Sequence, residues 1–274
     1  MPIAFICPHC QAPLQPSNSQ WCCSNQHSFD VAKQGHINLL AVQQKRSKQP
    51  GDSKEMVAAR RAWLAKGYYQ PIANALSELI ENNSTVLDAG CGEGYYLSQL
   101  LAAKNIDAVG NDISKFAAAV AAKQCPAAQI LVASNKALPI AEHSFDYIVC
   151  AFGFPVWHEF QRLLKPGGKL VLVNSTNQHL YSLRAALYEQ VIEKPEAQLP
   201  AFLTCEHEQV LTYSIEGLDA SEVQALAVMT PHWFRAKQAA REALIEQPPS
   251  AIEVSVRLQV CQFNASADTA AAPE

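Results

Sequence analysis

Between residues 85 and 175 short apolar runs alternate with amphipathic stretches. The runs TVLDAG (85–90), DAVGND (107–112), QILVAS (129–134), FDYIVCAF (145–152) and KLVLVNS (169–175) predict five strands. Helical patterns separate them, from Tyr96 to Lys104 and from Ser114 to Lys123, and the turn Pro166–Gly168 introduces the fifth strand. This alternation predicts an α/β domain with a parallel sheet covered on both faces. A further helix is expected from about Ser53 to Lys66. Residues 176–249 read as mainly helical with one strand near 209–215. Residues 250–264 read as a last strand, AIEVSVRLQVCQF, pairing antiparallel in the sheet's edge region. The tail 265–274 is small and polar and is expected to be disordered.

The first 30 residues break this pattern. They hold few core residues but four of the chain's nine cysteines. Cys7-Pro-His-Cys10 is followed after twelve residues by Cys23-Ser-Asn-Gln-His27. Two thiolates two residues apart can grip one ion from a tight turn, and a later Cys and His complete a tetrahedron of the kind zinc prefers. Four protein ligands leave no position for water, so such a site is structural and helps a short segment to fold. Cys22 and His9 are spare candidates, Cys22 the nearer substitute. The odd, scattered cysteine count argues against a disulfide framework. At 274 residues, 49% hydrophobic and 17% charged, the chain suffices for one main domain and a small module. No apolar run reaches the roughly 18–20 residues of a membrane span, and no basic leader precedes an apolar stretch. The expectation is a soluble, cytoplasmic protein. Net charge is −4, yet the window from Lys45 to Arg61 is +4, which marks a local basic patch.

The loop after the first strand of the sheet carries the clearest chemistry: Asp88-Ala-Gly90-Cys-Gly92-Glu93-Gly94. Glycines allow a tight strand-to-helix turn and close backbone approach to a ligand. The spacing is not that of dinucleotide folds, and Asp88 two residues before Gly90 would repel pyrophosphate. It suits the cationic methionyl end of S-adenosylmethionine. Asp112, at the end of the second strand, lies where an acid can accept both ribose hydroxyls, and Ser134 and Asn135 after the third strand can face the adenine. The set, with Glu93, looks like the motif series of Rossmann-like, S-adenosylmethionine-dependent methyltransferases. The expected organisation is a zinc module over 1–35, a basic connector over 36–70, a Rossmann-like methyltransferase domain over 71–264 and the tail.

The segments CPHC…CSNQHSFDVAKQGHINLL, QQKRSKQPGDSKEMVAARRAWLAKGYYQPI, VLDAGCGEGYY, LKPGG and MTPHWFRA resemble the bacterial 23S rRNA guanine-N1 methyltransferases of the RlmA type, over most of residues 5–245. The resemblance implies methyl transfer to N1 of a guanine in a large-subunit rRNA hairpin, zinc at Cys7, Cys10, Cys23 and His27, and a homodimer. It also implies that Tyr69 and His179 touch the cofactor. One departure stands out. After the fourth strand the family tends to carry a motif of the form R-I-Y-A-P-C, whereas here the stretch is Cys150-Ala-Phe-Gly-Phe-Pro155-Val-Trp157-His158-Glu159.

Guanine N1 carries a proton that must leave, so an acceptor nearby would help. His158 and Glu159 are the titratable pair in that loop, although they also fit the start of a helix VWHEFQRLL. Arg46, Lys48, Arg60 and Arg61 are candidate phosphate contacts. Trp63, Tyr68 and Tyr69 could stack a base or pack into the core. Two other functions compete: a small-molecule methyltransferase, and a non-catalytic rRNA-binding relative.

Overall fold

The computed structural model describes residues 3–41, 51–193, 195 and 198–264. The basic residues Lys45, Arg46 and Lys48, and the expected disordered tail 265–274, lie outside the described residues.

Eight strands form one sheet. Its parallel part contains β4 (Ile37–Asn38), β5 (Ser84–Ala89), β6 (Ile106–Asp112), β7 (Gln129–Val132), β8 (Phe145–Ala151) and β9 (Leu164–Ser175). Two antiparallel strands, β10 (Leu203–Glu216) and β11 (Ala251–Phe263), complete it. The order is β10-β11-β9-β8-β5-β6-β7-β4. The strand order reverses at β5, between β6 and β8, so the crevice for a ligand opens at the carboxyl end of β5, where the glycine loop begins. β5 is buried throughout and alternates its side chains between the two faces: Val86 joins the core on one side, Leu87 and Ala89 the core on the other.

The expected strands and helices are present, with three differences. The strand expected near 209–215 is longer: β10 runs 14 residues and forms the border outside β11, which pairs antiparallel in the edge region as expected. The Pro166–Gly168 turn does not precede β9 but lies within it. Leu164 already pairs with Phe145, and the register then jumps to Lys169 opposite Tyr147, so the Pro-Gly-Gly residues bulge out of the ladder. Finally, the described parts of the expected connector pack against the main domain. Ile37 and Asn38 extend the main sheet beside Leu131 and Val132. Helix α1 (Lys54–Ala65), capped by Ser53 accepting from the Met56 N–H at 3.2 Å, buries Val57, Trp63 and Leu64.

The N-terminal module is a three-stranded antiparallel ribbon of β1 (Leu14–Ser17), β2 (Gln20–Cys23) and β3 (Ser28–Asp30). It docks on the main domain through a bridge between Phe5 and Ile140, with Ile6 N–H donating to the Pro139 carbonyl at 3.0 Å. Phe5, Cys7, Leu14 and Cys23 share one hydrophobic cluster with Leu138 and Ile140. The ribbon and the sheet thus bury a common core. Among the described residues, no helix is long and apolar enough to cross a membrane.

Candidate functional site

The four predicted metal ligands converge. The Sγ atoms of Cys7, Cys10 and Cys23 and a ring nitrogen of His27 all lie within 4.8 Å of one another. Cys10 Sγ is 3.7 Å from Cys23 Sγ, and His27 Nδ1 is 3.5 Å from Cys7 Sγ and 3.4 Å from Cys23 Sγ. A zinc tetrahedron with bonds of about 2.3 Å to sulfur and about 2.0–2.1 Å to nitrogen has edges of about 3.8 and 3.5 Å. The donor set and its spacing therefore fit zinc. Backbone donation from Ala12, followed by the Asn25 side chain, pulls the Cys10 thiol down to about 6, which favours the thiolate that a metal needs. Neither spare candidate is among the converging ligands: Cys22 faces the other side of β2, and the His9 ring packs 5.1 Å from the His27 ring and 5.8 Å from Phe29.

The glycine loop follows β5 directly. Gly90, Gly92 and Gly94 all have positive φ, of 86°, 56° and 84°, and Gly94 caps α3 (Tyr95–Ala103). Asp112 ties the loop down: its Oδ2 accepts from Gly92 N–H at 3.1 Å and its Oδ1 from Ser114 N–H at 2.7 Å. Three carboxylates surround the loop. Asp88 is buried, and its Oδ2 has no hydrogen-bond partner. Burial, then the charges of Asp112 and Glu93, push its pKa up to about 7. Burial likewise raises Asp112 to about 6, against hydrogen bonds and the Arg60 charge that lower it. An orphaned buried acid beside a backbone-lined loop fits the ammonium and sulfonium charges of S-adenosylmethionine. Ser134 is buried at the end of β7. Asn135 accepts from Asn111 Nδ2 at 2.8 Å, so both stand at the same sheet edge as Asp112.

Four aromatic rings gather beside the loop. Phe152, at the end of β8 with φ +55°, lies 5.8 Å from His179, 6.4 Å from Tyr69 and 6.3 Å from Tyr96. Tyr69 and His179 are 6.2 Å apart. Burial, then Arg184 and His232, lower the His179 pKa to about 4, so the ring is neutral at pH 7. Its Nδ1 accepts from Ser255 N–H at 3.3 Å, which leaves Nε2 to carry the proton. Phe152 and Tyr96 were not singled out from sequence. The available signal was the Phe-Gly-Phe-Pro run itself, whose Phe154 is 90% exposed.

The structure reassigns several candidates. Glu159 is buried, accepts from Leu138 N–H at 2.6 Å and pairs with Arg162 at 2.7 Å. It ties α5 (Trp157–Leu163) to the preceding loop and is not free to act as a base, whereas His158 is exposed. Trp63 and Tyr69 are 1% and 2% exposed, so they pack into the core rather than stacking RNA; the Tyr68 hydroxyl donates to Glu222 at 2.8 Å. Arg60 turns inward to Asp52 and Glu93, each at 2.5 Å, and is not a free phosphate contact, while Arg61 is exposed.

A Rossmann-like sheet, a glycine loop ringed by acids and a docked Cys3His ribbon define an S-adenosylmethionine-dependent methyltransferase with a structural zinc site. Residues 5–48 match the family model for the RlmA N-terminal zinc ribbon, and residues 86–168 match a methyltransferase domain. A "23S rRNA (guanine(748)-N(1))-methyltransferase" of Streptomyces fradiae is 35% identical over 66% of each chain. A Micromonospora griseorubida protein named "Putative 23S rRNA (guanine-N(1)-)-methyltransferase" is 32% identical over 92% of this chain and 95% of its own. A Bacillus subtilis protein carrying the same description is 28% identical over 93% and 96%. The chain belongs to the 23S rRNA (guanine-N1)-methyltransferase family of the RlmA type.

Proposed function

We propose that this protein transfers a methyl group to N1 of a guanine in a 23S rRNA hairpin. The observation that carries this reading is the reach of the similarity. It covers 92–93% of the chain in two relatives named for this activity, and so takes in the ribbon and the connector. The methyltransferase domain model alone covers only residues 86–168. A small-molecule enzyme has no need of a ribbon and a basic connector.

S-adenosylmethionine, when bound, supplies an electrophilic methyl group on a sulfonium. Asp88, Asp112 and Glu93 would hold its positive groups and ribose, with Ser134 and Asn135 at the adenine. Tyr69 and His179 belong to the aromatic group beside the glycine loop. A flat ring entering there meets the exposed Phe152, which suits stacking of an unpaired base. The protein's main contribution is alignment of the two reactants in a site that excludes water. Of the two titratable residues in the loop after β8, the exposed His158 remains free to take the N1 proton. Arg46, Lys48 and Arg61 are the proposed phosphate contacts, in or just beyond the segment that leads to the cofactor loop. An rRNA substrate places the protein in the cytoplasm, and a homodimer is the assembly the resemblance implies.

The test is incubation of the purified protein with S-adenosylmethionine and a 23S rRNA hairpin transcript, followed by nucleoside mass spectrometry. 1-Methylguanosine is the expected product. Hairpin binding without methylation would point to a non-catalytic relative, and neither binding nor methylation to a small-molecule enzyme.

A further inference from the structure

Arg60 lies on the same face of α1 as Val57 and Leu64, and it carries its guanidinium into the cofactor crevice. Two of its nitrogens are taken: Nε donates to Glu93 Oε2 and Nη1 to Asp52 Oδ2, each at 2.5 Å. The third, Nη2, is buried and has no hydrogen-bond partner. It stands 3.0 Å from the position a Cβ on Gly92 would occupy, so it lies directly against the glycine loop. The segment before α1 is fastened to the same crevice, since Ser114 Oγ donates to the Asp52 carbonyl at 2.8 Å.

A guanidinium presents its donors in a rigid fork suited to carboxylates. Leaving one buried nitrogen unpaired is costly unless a ligand completes it. The loop it faces is ringed by Asp88, Glu93 and Asp112, which suit the ammonium and sulfonium of the cofactor but would repel its α-carboxylate. We propose that Arg60 Nη2 is the donor for that α-carboxylate, with Asp52 and Glu93 holding the guanidinium in register. On this assignment Gly92 is required for a second reason besides its left-handed φ: any side chain there would displace the Arg60 fork.

The test is calorimetric and does not depend on turnover. S-adenosylhomocysteine is compared with its α-carboxamide, and with 5′-methylthioadenosine, which lacks the amino-acid end, on the parent protein and on Arg60→Met. The parent should bind the carboxylate form at least about tenfold more tightly than the carboxamide, as expected of a charge-assisted hydrogen bond. Arg60→Met should lose that preference and bind 5′-methylthioadenosine as the parent does. Arg60→Lys, which keeps the charge but loses the fork, should be intermediate and serves if Arg60→Met does not fold. Equal affinity of the parent for carboxylate and carboxamide overturns the assignment. So does an undiminished preference in the variants, or an equal loss of all three ligands by a folded variant, which would make Arg60 a structural tie only.

Discussion

Replacing Asp88 by Asn separates what the carboxylate does for binding from what it costs the ligand-free fold. Asp88 is 2% exposed, and its Oδ2 is unpartnered. Burial and the neighbouring acids Asp112 and Glu93 raise its pKa from 3.8 to about 7. A folded-state value above the unfolded one means that the group's stabilising contribution is complete below pH 3.8 and is lost as pH rises through about 7. The distance between the two values corresponds to about 4 kcal/mol against the ligand-free fold at pH 8. An amide has no charge to desolvate, but its imperfect fit takes back about 1–3 kcal/mol. Asp88→Asn should therefore be more stable than the parent at pH 8 by about 2 kcal/mol. For a domain of this size that is a rise in melting temperature of about 4–8 °C. At pH 5 the folded carboxyl is protonated but the unfolded one is still ionised, so the cost has fallen to about 2 kcal/mol, and the amide's poorer fit should cancel the gain. With S-adenosylmethionine added at pH 8 the order should invert, since only the carboxylate pairs with the cationic ligand. Thermal melts at both pH values, with and without cofactor, measure all of this. A variant that melts no higher than the parent at pH 8, or that gains equally at pH 5, would refute the reasoning.

Three further outcomes follow from the geometry. Cys10→Ser should release the zinc, measured by elemental analysis at about one ion per parent chain, and loosen the ribbon while cofactor affinity holds; a metal-free parent with an intact ribbon contradicts this. Glu159→Ala should lower stability by about 1–3 kcal/mol, because it leaves the Leu138 N–H without its acceptor and removes the carboxylate partner of Arg162, which keeps only the Ile140 and Leu138 carbonyls. The pH profile of methylation by the surviving folded enzyme should keep its shape, whereas loss of a titrating limb would restore Glu159 as a base. Arg61→Glu should weaken hairpin binding and make its salt dependence shallower by about 0.7–0.9 in logarithmic slope per lost phosphate contact. Titration at several salt concentrations reads this, and an unchanged slope removes Arg61 from the interface.

Periodicity carried most of the fold. The parallel strands and the helices between them appear within a residue or two of where the apolar runs place them, apart from the early start of β9 and from the two-residue β4, which no apolar run announced. The metal ligands were legible because zinc imposes a local spacing. The fate of individual charges was less so, although part of it was in the pattern. Arg60 shares a helical face with Val57 and Leu64, while Arg61 falls on the next face, so inward and outward roles follow from the 3.6-residue period. Glu159 sits beside Phe160 and Leu163 on the buried side of its helix in the same way. What the sequence could not show is which partner completes each buried charge. Glu93 is 33 positions from Arg60, and Leu138 is 21 from Glu159, and only the folded sheet brings them together. The aromatic group was hidden for the same reason, since Tyr69, Tyr96, Phe152 and His179 come from four separate loops and helices.

The central claim is the identity of the modified atom, and mass spectrometry of 23S rRNA tests it most directly. Ribosomal RNA from a strain lacking this gene would be compared, fragment by fragment, with RNA from the parent and from the deletion strain carrying the gene on a plasmid. The account predicts that 1-methylguanosine disappears from one hairpin in the deletion strain and returns with the plasmid. Unchanged 1-methylguanosine in every 23S rRNA fragment would contradict it.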